Sequence, residues 1–217
     1  MKTAMVAAAL LVGSALYAQD MTYDAGRTTF GLRAGVNFQN INGKNSAGDK
    51  LENNVRTGFH AGLNAEVPLG TGFYVQPGVL YSQKGTEFKS NDELQLSYIE
   101  VPVNLVYKPV LGTGRMLLGF GPYIGFGIDG KYKSTSGAEG EVIFENEIPP
   151  NPEPGVYVKR MDAGANLLAG YEFANKLSFQ VNAQLGLMDI RPDAPSLPND
   201  KSRWANTGFG LSVGYRF

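Results

Sequence analysis

Cysteine is absent from the 217 residues, and histidine occurs once, as His60. The first absence removes disulfide frameworks, thiolate metal sites, cysteine nucleophiles and a lipid-bearing N-terminal cysteine. The second leaves no multi-histidine metal site and a single imidazole base, with no nucleophile motif around it. Neither charge is in excess: 19 Lys plus Arg stand against 20 Asp plus Glu, so the chain has no global field for nucleic acid. Beyond the N-terminal segment no stretch approaches the roughly 20 apolar residues that a transmembrane helix needs.

Residues 1–18 read as an address. Their only charge is Lys2, an apolar run extends from Ala4 to Val12, and Ala18 precedes the polar Gln19 and Asp20. A basic start, a short apolar middle and a small residue at the cut make a secretory signal peptide. The apolar run is too short to cross a core of ~30 Å as a stable anchor. Cleavage is expected between Ala18 and Gln19, which leaves a single domain over 19–217.

Glycine is what the chain has in abundance: 28 residues, nearly twice the ordinary share of about 7%. With 12 Phe and 11 Tyr, it points to strands and turns rather than helices. Eight segments alternate apolar and small or polar residues with period two: 30–38, 59–67, 73–82, 98–107, 118–126, 161–172, 177–187 and 207–217. In the second, for example, Phe59, Ala61, Leu63, Ala65 and Val67 oppose His60, Gly62, Asn64 and Glu66. Each run has the ~9–11 residues that a tilted strand needs to cross a bilayer, or slightly more, whereas soluble strands peak near 5–6. Short connections at 68–72, 108–114 and 174–176 alternate with long ones at 39–56, 84–95, 129–159 and 189–203. Short turns on one side and long loops on the other predict an all-β fold, an eight-stranded antiparallel up-and-down transmembrane β-barrel.

A soluble lipocalin-type barrel has the same alternation with its apolar face turned inward to a ligand. Two features favour the inverted, lipid-facing arrangement. The polar face is poor in charge and rich in Gly, Asn, Gln and Ser, which suits a narrow lumen better than a solvated surface. Aromatic residues also cluster at segment ends, with Tyr74, Tyr107, Tyr171, Phe173, Tyr215 and Phe217 near the turns and Tyr81, Tyr98 and Trp204 near the loops. Such positions match the two interfacial girdles of a membrane barrel. The charges that fall on the inner face, Arg33, His60, Glu66, Glu100, Asp162, Glu172 and Arg216, are expected to pair in a polar network across the lumen, because buried charges persist only when paired.

The 129–159 segment is the richest loop. It holds Glu139, Glu141, Glu145, Glu147 and Glu153 against Lys131, Lys133 and Lys159, together with Pro149, Pro150, Pro152 and Pro154. The acidic spacing fits no cation-binding loop, and the prolines favour extended, unpaired chain. Glu141, Val142, Ile143 and Phe144 are positioned to extend the strands above the membrane, with a ten-stranded barrel as the alternative.

Three stretches carry a resemblance: 30–37 (FGLRAGVN), 98–104 (YIEVPVN) and 211–217 (LSVGYRF). With them the region from Phe30 to Phe217 resembles the PorT-like outer-membrane β-barrel family of Bacteroidota. The resemblance implies a Gram-negative outer membrane and a C-terminal signal, Tyr215 and Phe217, read by the barrel-insertion machinery. It implies no assigned activity. Together these readings predict a monomeric, non-enzymatic surface or scaffold protein with no catalytic residues, no metal and no cofactor. Its partners are outer-membrane lipid, the insertion machinery and an unidentified extracellular or periplasmic protein, and not nucleic acid. A narrow ion or small-solute channel and a soluble barrel with an apolar ligand are the alternatives.

Overall fold

A chain whose side chains alternate in chemistry every residue can satisfy its backbone in lipid only by pairing strands until no edge is left. The computed structural model, which describes residues 26–195 and 200–217, does this. The expected signal peptide, the expected cut at Ala18 and Gln19 and the residues up to 25 lie outside the described residues. The strands in chain order are β1 Thr29–Lys44, β2 Arg56–Gly70, β3 Phe73–Glu87, β4 Glu93–Tyr107, β5 Val110–Leu111, β6 Gly114–Lys133, β7 Glu139–Phe144, β8 Val156–Val158, β9 Met161–Glu172, β10 Leu177–Gly186 and β11 Arg203–Arg216. Eight long strands run antiparallel in the order β4, β3, β2, β1, β11, β10, β9, β6, and the ring closes where β4 pairs with β6. β5 pairs with β6 within a turn, and β7 pairs with β6 only at its loop end, with β8 parallel to β7. β7 and β8 are therefore not additional barrel strands, and the ten-stranded alternative falls.

The strands outrun the periodic segments. β1 continues to Lys44, β3 to Glu87, and β4 begins at Glu93. The β3–β4 ladder persists to Glu87↔Glu93, and β4–β6 to Glu93↔Lys133. Backbone pairing needs no lipid, but apolar alternation does, so the pattern fades where the ladder rises above the membrane while the hydrogen bonds continue. The connections expected at 39–56 and 84–95 are correspondingly shorter. Within β6, Gly127 pairs with Tyr98 and Asp129 with Ser97, which leaves Ile128 as an extra residue. This bulge reverses the inner and outer faces beyond it.

The outer face is the apolar one. Leu63, Phe120 and Leu167 are 59%, 59% and 63% exposed, while Gln76, Asn104 and Glu100 on the inner face are nearly inaccessible. An apolar exterior around a polar interior excludes the soluble ligand-binding barrel, whose faces are the reverse. At the turn end, Phe73 stacks on Tyr107 with centroids 4.6 Å apart, and Tyr215 meets Phe217 edge-on at 5.6 Å. Three of the expected girdle aromatics are elsewhere. Tyr98 is fully buried in the lumen, Trp204 packs on an apolar cluster at the loop end, and the Tyr74 ring lies 5.3 Å from the Lys108 ammonium.

The tight turn after β9 shows how local chemistry ends a strand. Phe173 N–H donates to the Leu177 carbonyl at 2.8 Å, Lys176 N–H to the Phe173 carbonyl at 2.9 Å, and Lys176 takes φ 69°. This is a three-residue hairpin loop closed by a left-handed residue.

The face assignment is open to a direct test. Leu63→Arg on the lipid face should cost roughly 2–4 kcal/mol of stability in a bilayer, and Asn64→Gln on the lumen face far less. Urea titration in lipid vesicles, followed through the only tryptophan, Trp204, measures both.

Candidate functional site

The chemistry of this chain is concentrated inside the barrel, in layers stacked from the turn end to the loop end. At the turn end, Lys108, just beyond β4, sends its ammonium to Glu66 Oε1 of β2 at 2.9 Å and to both carboxylate oxygens of Glu172 of β9 at 2.9 Å. Arg216 of β11 completes the set, 3.2 Å from Glu66 Oε2 and 3.5 Å from Glu172 Oε2, and donates to Asn64 Oδ1 at 3.1 Å. The Gln76 amide donates to Glu66 Oε2 at 3.3 Å. Two cations and two carboxylates thus neutralise one another across the whole mouth. Immediately above them Val106, Leu117 and Leu168 form a buried apolar layer.

The middle layer is polar. Asn37 Nδ2 donates to Ser82 Oγ at 3.1 Å and to the Gln83 carbonyl at 3.2 Å, so its Oδ1 accepts from His60 Nδ1 at 2.8 Å. His60 Nε2 has no hydrogen-bond partner among the described residues. Gly35 makes room for this imidazole: a Cβ there would lie 2.7 Å from His60 Cε1. Arg33 reaches Gln180 Oε1 at 3.5 Å. Arg33, Asn37, His60, Ser82, Glu100 and Asn104 border a cavity of about 20 Å³, which is room for one water.

The next layer is built on Lys84, which is completely buried. Its ammonium is paired with Glu100 and lies 2.9 Å from Asp162 Oδ2 and 4.3 Å from the centre of the Tyr123 ring. Asp162 Oδ2 also accepts from Asn206 Nδ2 at 3.0 Å and from Tyr123 Oη at 3.4 Å. Glu100 Oε2 accepts from Gln184 Nε2 at 3.1 Å, and Gln184 Oε1 accepts from Gln39 Nε2 at 3.3 Å. Every barrel strand except β2 is joined through this one cation and its partners.

Above Lys84 the lumen becomes apolar. Ile41, Leu94, Leu96, Tyr98, Val142, Val158 and Ile190 form a buried cluster, with Phe88, Phe144, Val156 and Trp204 packed against it. β7 and β8 supply four of these side chains, so the mid-chain loop folds down into the mouth as a cap. Two glycines of β6 receive it. A Cβ on Gly127 would stand 2.4 Å from the Phe144 ring, and one on Gly130 would stand 2.6 Å from Val142 Cβ.

The seven inner-face residues expected from sequence thus fall in different layers. Glu66, Glu172 and Arg216 meet at the turn end; Glu100 and Asp162 meet at Lys84; Arg33 and His60 lie between. The two cations that organise these clusters, Lys84 and Lys108, fall in stretches assigned by pattern to a loop and to a turn. Reading the 73–82 alternation two residues further places Lys84 on the same face as Leu80 and Ser82. That parity is the signal that reveals it. Tyr215 and Phe217 lie on the outer face, 46% and 58% exposed, and Phe217 N–H donates to the Phe30 carbonyl at 2.8 Å.

The loops above the barrel are tied together by Asp92. Its Oδ1 accepts from the Thr135 N–H at 2.9 Å and the Ser134 hydroxyl at 3.0 Å, and its Oδ2 accepts from Ser90 at 2.8 Å. These donors, the Thr135 backbone first, hold the Asp92 carboxyl well below the usual carboxylate range.

Residues 17–191 match the family described as outer membrane protein beta-barrel domain, and the chain belongs to it. Its place is the outer membrane. Among solved structures, Neisserial surface protein A has a TM-score of 0.49 at 10% identity. The attachment invasion locus protein Ail of Yersinia pestis, in complex with the heparin analogue sucrose octasulfate, has 0.44 at 15%. A major outer membrane protein of Thermus thermophilus has 0.41 at 13%. Each comparison covers 88% of this chain and 100% of the other. No curated protein matches.

Removing the Lys84 cation leaves two carboxylates buried without a counter-charge. Lys84→Met should therefore cost about 3–5 kcal/mol, and combining it with Glu100→Gln and Asp162→Asn should recover most of that loss. Lys108→Met should cost less, because Arg216 still neutralises Glu66 and Glu172. Unfolding titrations in vesicles rank the three variants. The Asp92 tie has a defined pH dependence: a carboxyl with a depressed pKa stabilises above its ordinary value near 3.9 and loses that contribution only as pH falls through the folded-state value. Protection of the Thr135 amide from hydrogen exchange should hold from about pH 7 to about pH 4, and Asp92→Ala should abolish it at neutral pH.

Proposed function

We propose that this protein is a sealed, non-enzymatic surface barrel: the eight strands hold a platform of loops at the cell exterior, and nothing passes through them. The observation that carries this reading is the filled lumen. Two ion-pair clusters, two apolar layers and a polar middle leave a cavity of about 20 Å³, and eight strands enclose little more than their own side chains. The platform is an ordered surface rather than a set of free loops, because β7 and β8 are seated in the barrel mouth and Asp92 ties two loops together. A proton or solute path has to cross both the Leu94 cluster and the Val106 layer, and the latter, made of Val106, Leu117 and Leu168, offers no polar relay. His60, the only imidazole, is shut inside the barrel, and both it and the neighbouring Ser82 hydroxyl are hydrogen-bonded to Asn37 rather than to each other, which favours a packing role over a catalytic one.

The inner charges Arg33, His60, Glu66, Glu100, Asp162, Glu172 and Arg216 act in this reading as internal struts. Tyr215 and Phe217 serve as the signal for the insertion machinery, and Ala18–Gln19 as the site of signal cleavage. The finer kinship is with the PorT-like barrels, supported by the glycine-rich first strand and the 98–104 motif. The protein works as a monomer in outer-membrane lipid, and its loops engage an extracellular protein.

Planar-bilayer recording tests the seal. After insertion has been verified by the change in gel mobility on boiling, the wild-type protein should give no conductance steps. Discrete, reproducible steps would overturn the sealed barrel in favour of a narrow channel.

A further inference from the structure

Five cations at the loop end have a carboxylate partner. Lys89 pairs with Glu52, Arg56 with Glu93, Lys133 with Glu139, Lys159 with Asp193 and Arg191 with Asp200. Lys131 has none among the described residues, and Arg160 lies instead over the Phe126 and Phe144 rings, 5.4 and 5.2 Å from their centres; four further cations without a carboxylate partner stand together. Lys44 and Arg203 are direct cross-strand partners where β1 and β11 end. Lys50 forms a backbone bridge to Lys44, and Lys201 N–H donates to the Ser46 carbonyl at 3.4 Å. All four are exposed, and among the described residues none lies within ion-pair distance of a carboxylate. Nearby Asp49 is engaged by Asn45, which takes its backbone N–H and approaches its side chain, and Asp200 is held by Arg191 and Ser202. Like charges placed opposite one another on a ladder are destabilising, and an external anion removes that cost.

The group sits at the upper edge of the lipid-facing wall. Arg203 Nη2 donates to the Leu187 carbonyl at 2.9 Å, which fastens the guanidinium beside exposed Leu187 and Met188. Below them the apolar wall continues through Leu185 and Phe209, 54% and 48% exposed. A ligand that matches both features has acyl chains for the wall and several negative charges for the four cations, more than a single phosphodiester carries. We infer that Lys44, Lys50, Lys201 and Arg203 form a binding site for the phosphorylated headgroup of a multiply charged anionic membrane lipid, whose chains lie along Leu185, Leu187 and Phe209. The inference rests on the outer-membrane location and not on the sealed lumen, so conductance in bilayer recordings leaves it untouched.

The test uses the full-length protein in neutral detergent, titrated with a bis-phosphorylated diglucosamine lipid and scored by native mass spectrometry and by thermal unfolding. The quadruple variant Lys44→Gln, Lys50→Gln, Lys201→Gln, Arg203→Gln should bind about a hundredfold more weakly than wild type, since each cation near an anionic surface contributes appreciably. Without lipid the variant should unfold at the same temperature as wild type or higher, because like-charge repulsion is relieved. With lipid only the wild type should gain stability. Should the quadruple variant fail to fold, Lys50→Gln with Lys201→Gln, both outside the strands, should still weaken binding several-fold. Equal binding by wild type and variant, or equal binding of phosphatidylcholine, would overturn the site. A water-soluble sugar bisphosphate or a sulfated polysaccharide binding as tightly as the lipid would overturn the lipid assignment, because the wall would then contribute nothing.

Discussion

An eight-stranded barrel encloses a space no wider than the side chains that point into it. In a bilayer those side chains find their partners chiefly in one another, because little water has room to replace a missing one. The burial of Lys84 is the sharpest expression of that constraint. Its ammonium holds Glu100 of β4 and Asp162 of β9 from a position on β3, and those carboxylates in turn hold Gln184 of β10 and Asn206 of β11. Opposite walls of the barrel are thereby coupled through one positive charge. The turn-end cluster repeats the arrangement with two cations on two carboxylates, which makes it the more redundant of the two.

The glycines follow from the same shortage of space. Gly35 accommodates the His60 ring, and Gly127 and Gly130 accommodate Phe144 and Val142. A small residue on one strand therefore lets a large one from another element enter the lumen. The cap depends on this exchange. Without the open floor over β6, the 139–158 segment has no apolar seat, and its acidic and proline-rich flanks would leave it solvated above the barrel. Sealing of the lumen and ordering of the loop surface are in this sense one event.

The outer surface obeys the complementary rule. Leu, Val and Phe rows face lipid along every long strand, and the polar ladder continues above them once lipid contact ends. Some charges at that upper edge pair across the loops, and the cluster of cations around Lys44 and Arg203 lies where the apolar wall stops. Membrane and surface chemistry meet at that point, so the barrel wall and the loop platform share a boundary that a lipid with a charged headgroup can span.

How much of this was legible in the sequence depends on the reach of each interaction. The period-two runs identify all eight barrel strands and their two faces, because alternation is imposed residue by residue by the bilayer outside and the lumen inside. The Ala174–Asn175–Lys176 turn is legible for the same reason: its geometry is set by adjacent residues. The strand ends were not legible, since above the membrane backbone pairing continues without any apolar pattern to mark it. Nor were the roles of Lys84 and Lys108, whose identity as buried cations rests on carboxylates at Glu100, Asp162, Glu66 and Glu172, far away in sequence. Tyr98 and Trp204 look like girdle aromatics by height along the strand, but their parity, shared with Glu100 and with Asn206, turns them into the lumen, where β7 and β8 fold back over them. The local alternation of chemistry determined the barrel and its lipid-facing side; which charges meet, and what closes the mouth, was decided only when closure of the ring brought distant strands face to face.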